Sequence, residues 1–152
     1  MSKIDLRQGD CLEPMKSIPD GSIDMILTDP PYGTTACKWD SVIPFEPMWE
    51  RINKLIKPNG AIVLTASQPF TSALVMSNPK MFKYCWVWEK QQGTNPLLSK
   101  KQPMKVHEDI VVFYSKQCLY NPQMTKGTPY SGFVTDKSKT TGDVMGNAKS
   151  VS

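Results

Sequence analysis

The sequence predicts an α/β fold, with a largely parallel sheet and helices on both faces. Two observations carry that expectation. Apolar runs of strand length alternate along the chain with segments whose apolar residues recur at helical spacing, and such alternation builds β-α-β units with parallel strands. The clearest helical segment stands between two of those runs. Its Phe45, Met48, Trp49, Ile52, Leu55 and Ile56 lie at offsets 0, 3, 4, 7, 10 and 11, which is one helix face.

The elements follow in order. Ile4-Asp5-Leu6-Arg7 alternates apolar and polar residues, so it reads as a short strand. Asp10 and Glu13 have capping-box spacing, which predicts a helix from Cys11 to Ser17, kept short by Pro14. Pro19-Asp20-Gly21 is a turn. Ile23 to Thr28 is nearly continuous in apolar character, as in a strand buried on both faces. It ends at Asp29-Pro30-Pro31-Tyr32-Gly33, and a polar loop runs from Thr34 to Ser41. Pro44 starts the long helix and Pro58-Asn59-Gly60 stops it. Ala61 to Thr65 is a second buried strand, and Phe70 to Val75 a short helix. Tyr84 to Trp88 and Asp109 to Tyr114 are two further strands with no clear helix between them, which suits an antiparallel pair at one edge. Residues 1–118 form the expected core. Residues 119–152 are rich in Lys, Thr, Ser and Gly and read as a mobile tail or the start of a target-recognition region.

Bulk properties narrow the class. The 152 residues suit one domain with a hydrophobic core. No window approaches the roughly 20 apolar residues of a membrane span, and the N-terminus has no apolar signal core, so a cytoplasmic protein is expected. The four cysteines are widely spaced and there is one histidine, His107, so no metal site is expected. The cysteines read instead as small buried groups. A net charge of +4 permits nucleic-acid binding.

The segment after the Ile23–Thr28 strand carries the chemistry. Ligands of open α/β sheets sit at the carboxyl ends of strands. Asp29 offers a carboxylate acceptor there. Pro30 and Pro31 stiffen the turn and have no N–H, which leaves the Pro30 carbonyl free to accept. Tyr32 supplies a flat face, and Gly33 lets the chain turn away. Two acceptors and a ring fit an amino group on an aromatic base, which has two N–H donors to place.

These residues also resemble a known family. Gly9-Asp10-Cys11-Leu12-Glu13, Pro19-Asp20-Gly21-Ser22-Ile23-Asp24 and Thr28-Asp29-Pro30-Pro31-Tyr32-Gly33 are similar to the start of amino-group DNA methyltransferases. The likeness is to the permuted subgroup, often encoded by phages and prophages, in which the catalytic motif precedes the cofactor motif. Pro58 to Leu64, Trp86 to Lys90 and His107 to Phe113 match the same pattern, so the resemblance covers about residues 3–125. It implies S-adenosylmethionine as methyl donor, DNA as partner and a base flipped out of the duplex. It implies that Asp29, Pro30, Pro31 and Tyr32 orient the target amine. Asp10 and Cys11 would lie at the adenine of the cofactor, with Asp29 shared between the two sites. The D-P-P-Y form favours adenine N6, where S-P-P would favour cytosine N4. A non-catalytic DNA-binding or protein-interaction remnant of such an enzyme is the competing reading.

The family continues with an H-P-T-x-K-P segment and a glycine-rich turn after a strand, and neither is found in this sequence. The expectation is therefore a truncated core. The family places further strands beside Ile23–Thr28, so that strand should present an unpaired apolar edge that self-associates or takes a complementary fragment. Lys90, Lys100, Lys101 and Lys105 lie in an acid-free stretch, 90–107, and are candidate phosphate contacts. His107 reads as fixing the entry to a strand. Trp49, Trp86 and Trp88 read as core residues. Trp39, in the loop after the motif, could line a flipped-base pocket or simply pack.

Overall fold

The computed structural model describes residues 4–94 and 96–127. The described residues up to Tyr120 form one compact unit, which ends before Asn121. Residues 121–127 carry no helix or strand, and the rest of the expected tail lies outside the described residues.

The compact unit is built on four strands. β1 (Ile23–Thr28) matches the expected span, and α1 (Phe45–Leu55) follows it. β2 (Ile56–Ala66), α2 (Phe70–Ser77), β3 (Phe82–Thr94) and β4 (Lys105–Phe113) complete the unit. The sheet order is β1-β2-β4-β3. β1 pairs with β2 in parallel, while β4 is antiparallel to both β2 and β3. The α/β class holds and the β3–β4 pair is antiparallel as expected, but the sheet of described residues is mixed rather than largely parallel.

Alternation fixes the core. Ile62, Leu64 and Ala66 of β2 and Val111 and Phe113 of β4 project to one face. There they bury Met48, Trp49 and Ile52 of α1 with Phe70 and Leu74 of α2. The Trp49 ring meets Phe113 edge-on at 4.9 Å, and its indole N–H donates to the Ser77 hydroxyl at 2.7 Å. Both described helices thus cover one face, where helices were expected on both. On the other face Met25, Leu27, Trp86 and Trp88 are half or more exposed to solvent, or nearly so. Trp49 is the core tryptophan; Trp86 and Trp88 are not. β1 has a strand partner on one side only among the described residues.

Three local expectations are corrected. Ile4–Arg7 is not a strand, and Ile4 and Leu6 lie exposed. Period-two alternation supplies a strand's shape but not its partner. Arg7 instead ties this segment to the next turn, donating to Asp5, to the Pro14 carbonyl and to the Ser17 hydroxyl. The Cys11–Ser17 helix is reduced to a 3-10 turn at Pro14–Ser17. Asp10 accepts from the Leu12 amide at 3.0 Å, while Glu13 pairs with Lys16 rather than returning to Asp10. Finally, Pro58-Asn59-Gly60 does not separate helix from strand, because β2 begins at Ile56 and runs through it. A register shift between Ile23 and Met25 of β1 absorbs the irregularity. Gly60 is required there, since a Cβ would stand 2.9 Å from the Asp24 carbonyl and 2.7 Å from the Ile56 side chain. The cysteines, expected to be buried, are free, with Cys11, Cys37 and Cys85 exposed and Cys118 half-buried.

Candidate active site

Asp29 leaves the carboxyl end of β1 beside the end of β2, since Thr28 is level with Leu64 in the parallel pairing. That register puts Thr65 next to Asp29, and the Thr65 hydroxyl donates to Asp29 Oδ1. The Tyr32 hydroxyl donates to the same oxygen at 2.7 Å. Among the described residues, Asp29 Oδ2 and the Pro30 carbonyl have no hydrogen-bond partner. The two acceptors read from the sequence are therefore both unpaired, the Asp29 oxygen on an exposed residue and the Pro30 carbonyl on a buried one that lines a pocket.

Tyr32 is half-buried, and one side of its ring is taken. Phe70, the first residue of α2, stacks on it with centroids 5.3 Å apart and planes 25° from parallel. Burial pushes the Tyr32 hydroxyl well above its usual range, and the neighbouring Asp29 and Glu108 carboxylates add to that against the opposing bond from Thr65. The phenol therefore keeps its proton and acts as a donor to Asp29.

The loop after Tyr32 is built around Asp40. Its buried carboxylate accepts from the consecutive amides of Gly33, Thr34 and Thr35 at 2.8, 2.9 and 2.7 Å. Bonds from the Thr35 hydroxyl and then from the Gly33 amide lower its pKa to about 2, so this anchor is charged throughout the neutral range. Gly33 is obligatory, with φ of +68° and Val42 2.8 Å from where a Cβ would stand. The loop closes a pocket of about 280 Å³ lined by Asp29, Pro30, Pro31, Tyr32, Thr34, Thr35, Trp39 and Asp40. Trp39 is 74% exposed, so it lines the pocket without being packed.

The remaining site candidates fall in different places. Asp10 and Cys11 do not line the Asp29 pocket. Cys11 borders a separate cavity of about 610 Å³ whose walls include Leu6, Gly9, Met15, Ile18 and Ile23. Lys90 belongs to β3, where it is half-buried and paired with Glu108. Lys105 opens β4 and its ammonium group meets the Ser67 hydroxyl. Lys100 and Lys101 are exposed, beyond a 3-10 turn at Pro96–Leu98, and no ion pair holds either among the described residues. His107 lies exposed within β4, opposite Glu89. No metal-binding cluster occurs among the described residues, and no described helix is long and apolar enough to cross a membrane.

Thr65 and Asp40 were missed by the sequence reading. The parallel register signals Thr65, because residues that leave adjacent parallel strands at the same level become neighbours. Nothing local in the sequence marks Asp40.

No family model matches the chain. Among curated proteins it is similar to the type II methyltransferase M1.MboII of Moraxella bovis, 24% identical over 123 residues that cover 73% of this chain and 45% of that protein. Among solved structures it is similar to the M1.HpyAVI–SAM complex, with a TM-score of 0.56 and 20% identity over 82% of this chain and 60% of the other. It is also similar to the cytosine-N4-specific PvuII DNA methyltransferase, with a TM-score of 0.55 and 15% identity over 72% and 48% of the two chains. A DNA modification methylase of Thermus thermophilus, TTHA0409, gives 0.53 and 19% over 76% and 54%. The chain thus spans 45–60% of the length of these proteins. Motif and sequence similarity point the same way as the fold: the chain is similar in sequence to a type II methyltransferase and carries part of the fold of the solved methyltransferases.

Proposed function

We propose that this chain holds the target base of a DNA methyltransferase that uses S-adenosylmethionine, and that the target atom is adenine N6. One observation carries this reading: two unpartnered acceptors, Asp29 Oδ2 and the Pro30 carbonyl, border a ring-sized pocket beside Tyr32. The amine donates one N–H to each acceptor. That holds its lone pair out of conjugation with the ring and makes the nitrogen a better nucleophile. Tyr32, backed by Phe70, and Trp39 offer aromatic faces to the base. When the nitrogen gains its methyl group it carries a surplus proton, for which the unpaired Asp29 Oδ2, already bonded to the amine, is the proposed acceptor.

The cofactor supplies a methyl group already activated on a sulfonium. The cavity beside Cys11 is the candidate place for its adenine end, since Met15, Ile18 and Ile23 give apolar surface for a purine and Asp5 and Arg7 add polar groups, while Asp10 is the chain neighbour of Cys11. M1.HpyAVI, similar in fold, was crystallised as a SAM complex. The test is transfer of labelled methyl to DNA, with the modified base identified. N6-methyladenine supports the reading. N4-methylcytosine, the product type of the structurally similar PvuII enzyme, would replace it. DNA binding without transfer would favour a non-catalytic remnant.

Lys100 and Lys101 are the proposed phosphate contacts, because Lys90 and Lys105 are engaged within the protein. Each phosphate contact contributes about 0.9 to the slope of log affinity against log salt for duplex DNA. Replacing both lysines by alanine should therefore flatten that slope by nearly two and weaken binding equally for all sequences. An unchanged slope would remove them from the interface.

The free edge of β1 is the proposed partner surface. Its open backbone and exposed Met25 and Leu27 suit pairing with another strand, and in the isolated chain the available partner is a second copy. Sedimentation should then show concentration-dependent dimers that Leu27→Lys dissociates. A chain that stays monomeric at high concentration would leave the edge to a complementary fragment or to no partner.

A further inference from the structure

We infer that Thr65 is a positioning residue for Asp29, dividing the carboxylate into one structural and one substrate-binding oxygen. The inference rests on the proposed reading of the pocket and deepens it. A carboxylate at a strand end is free to rotate about its Cβ–Cγ bond, and either oxygen could then face a ligand. Here two hydroxyls fix it. Thr65 on β2 and Tyr32 after β1 both donate to Oδ1, one from each side of the parallel pair. Among the described residues Oδ2 is left without a partner, on a side chain that lines the pocket.

Each donor has its own anchor in the fold, although the two hydroxyls also lie close enough to interact. Thr65 is half-buried within β2, and its strand position is set by pairing with Ile110 of β4. Tyr32 is set by stacking on Phe70. The rigidity of the sheet thus reaches the acceptor through a hydroxyl only one residue's length long. A threonine suits this position because its branched Cβ restricts rotation about χ1, so the hydroxyl direction is fixed before a ligand arrives. The division also explains why a motif with one acid can take two jobs. Oδ1 anchors the loop to the sheet while Oδ2 stays available to the amine.

Thr65→Val keeps the shape and removes the hydroxyl, and Thr65→Ser restores it. The first readout is independent of function: the 13C signal of the Asp29 carboxyl at neutral pH, identified by its loss in Asp29→Asn. It should move in Thr65→Val and return in Thr65→Ser, with circular dichroism unchanged. A signal unmoved in Thr65→Val overturns the inference. The second readout is the preference of the chain for an oligonucleotide with an unpaired adenine over one with unsubstituted purine. It should fall about tenfold in Thr65→Val, in line with a lost bond to a charged group, and recover in Thr65→Ser. If the wild type shows the preference and Thr65→Val keeps it in full, the inference fails. If the carboxyl signal responds but the wild type has no preference, the positioning stands and the proposed function falls.

Discussion

If the proposed function holds, replacing Asp29 by alanine is expected to lower the methyl-transfer rate by about a hundredfold, with no loss of fold. A hydrogen bond to a charged group is worth roughly 1.5–3 kcal/mol, which corresponds to about one to two orders of magnitude in rate. Asp29 also offers the acceptor for the proton released at nitrogen, which places the loss at the upper end. Stability should fall modestly, by about 1 kcal/mol for each bond lost, because the Tyr32 and Thr65 hydroxyls that lose their acceptor are half-buried while Asp29 itself is exposed. Asp29→Asn keeps an acceptor oxygen and should fall between the two. The check is single-turnover transfer of labelled methyl, with circular dichroism as a fold control. A rate within threefold of wild type would take Asp29 out of the chemistry.

The largest effect on stability is expected at Phe113. Its side chain is fully buried where β4 crosses the centre of the core. It meets Trp49 of α1 and Phe82 at the start of β3, both edge-on. Truncating a buried phenylalanine to alanine destabilises by about 3–5 kcal/mol, through lost transfer energy and the cavity left behind. Domains are commonly stable by about 5–15 kcal/mol, so Phe113→Ala should leave little margin. The functional consequence follows from the topology. β4 pairs with β2, and β2 carries Thr65 and flanks β1. Loosening β4 therefore loosens the frame that presents Asp29. Phe113→Leu, which keeps most of the volume, should be much milder. Thermal melts of the two variants would show this order, and equal melting temperatures would place the core elsewhere.

What the sequence revealed, and what it did not, divides by the range of the interactions. The bounds of β1 were legible because a nearly continuous apolar run stops at Asp29-Pro30, but the burial expected on both faces is not found, since Met25 and Leu27 are exposed. α1 was legible because six apolar residues kept one helical face. The pocket's acceptors were legible because Asp29 and Pro30 are adjacent, and their chemistry follows from residue type. Thr65 and Asp40 were not, since their value lies in which atoms they meet 36 and 5 to 7 positions away. Lys90 looked free in an acid-free stretch, yet antiparallel pairing brings Glu108 to it from β4. The strand expected at Ile4–Arg7 had the right alternation, but no described strand lies beside it. Turn chemistry also misled at Pro58-Asn59-Gly60, which falls inside β2 at a register shift, because β1 pairs with Ile56 before it and with Ala61 after it.

The central claim is that the pocket recognises an exocyclic amine. It is tested most directly by comparing how tightly the chain binds two oligonucleotides that differ only at one unpaired base. One carries adenine and the other purine without the amino group. A site that pairs both N–H groups of the amine should prefer adenine by at least about tenfold, and Asp29→Ala, which leaves only the Pro30 carbonyl, should reduce the preference sharply. Equal affinity for the two bases in the wild type would contradict the claim.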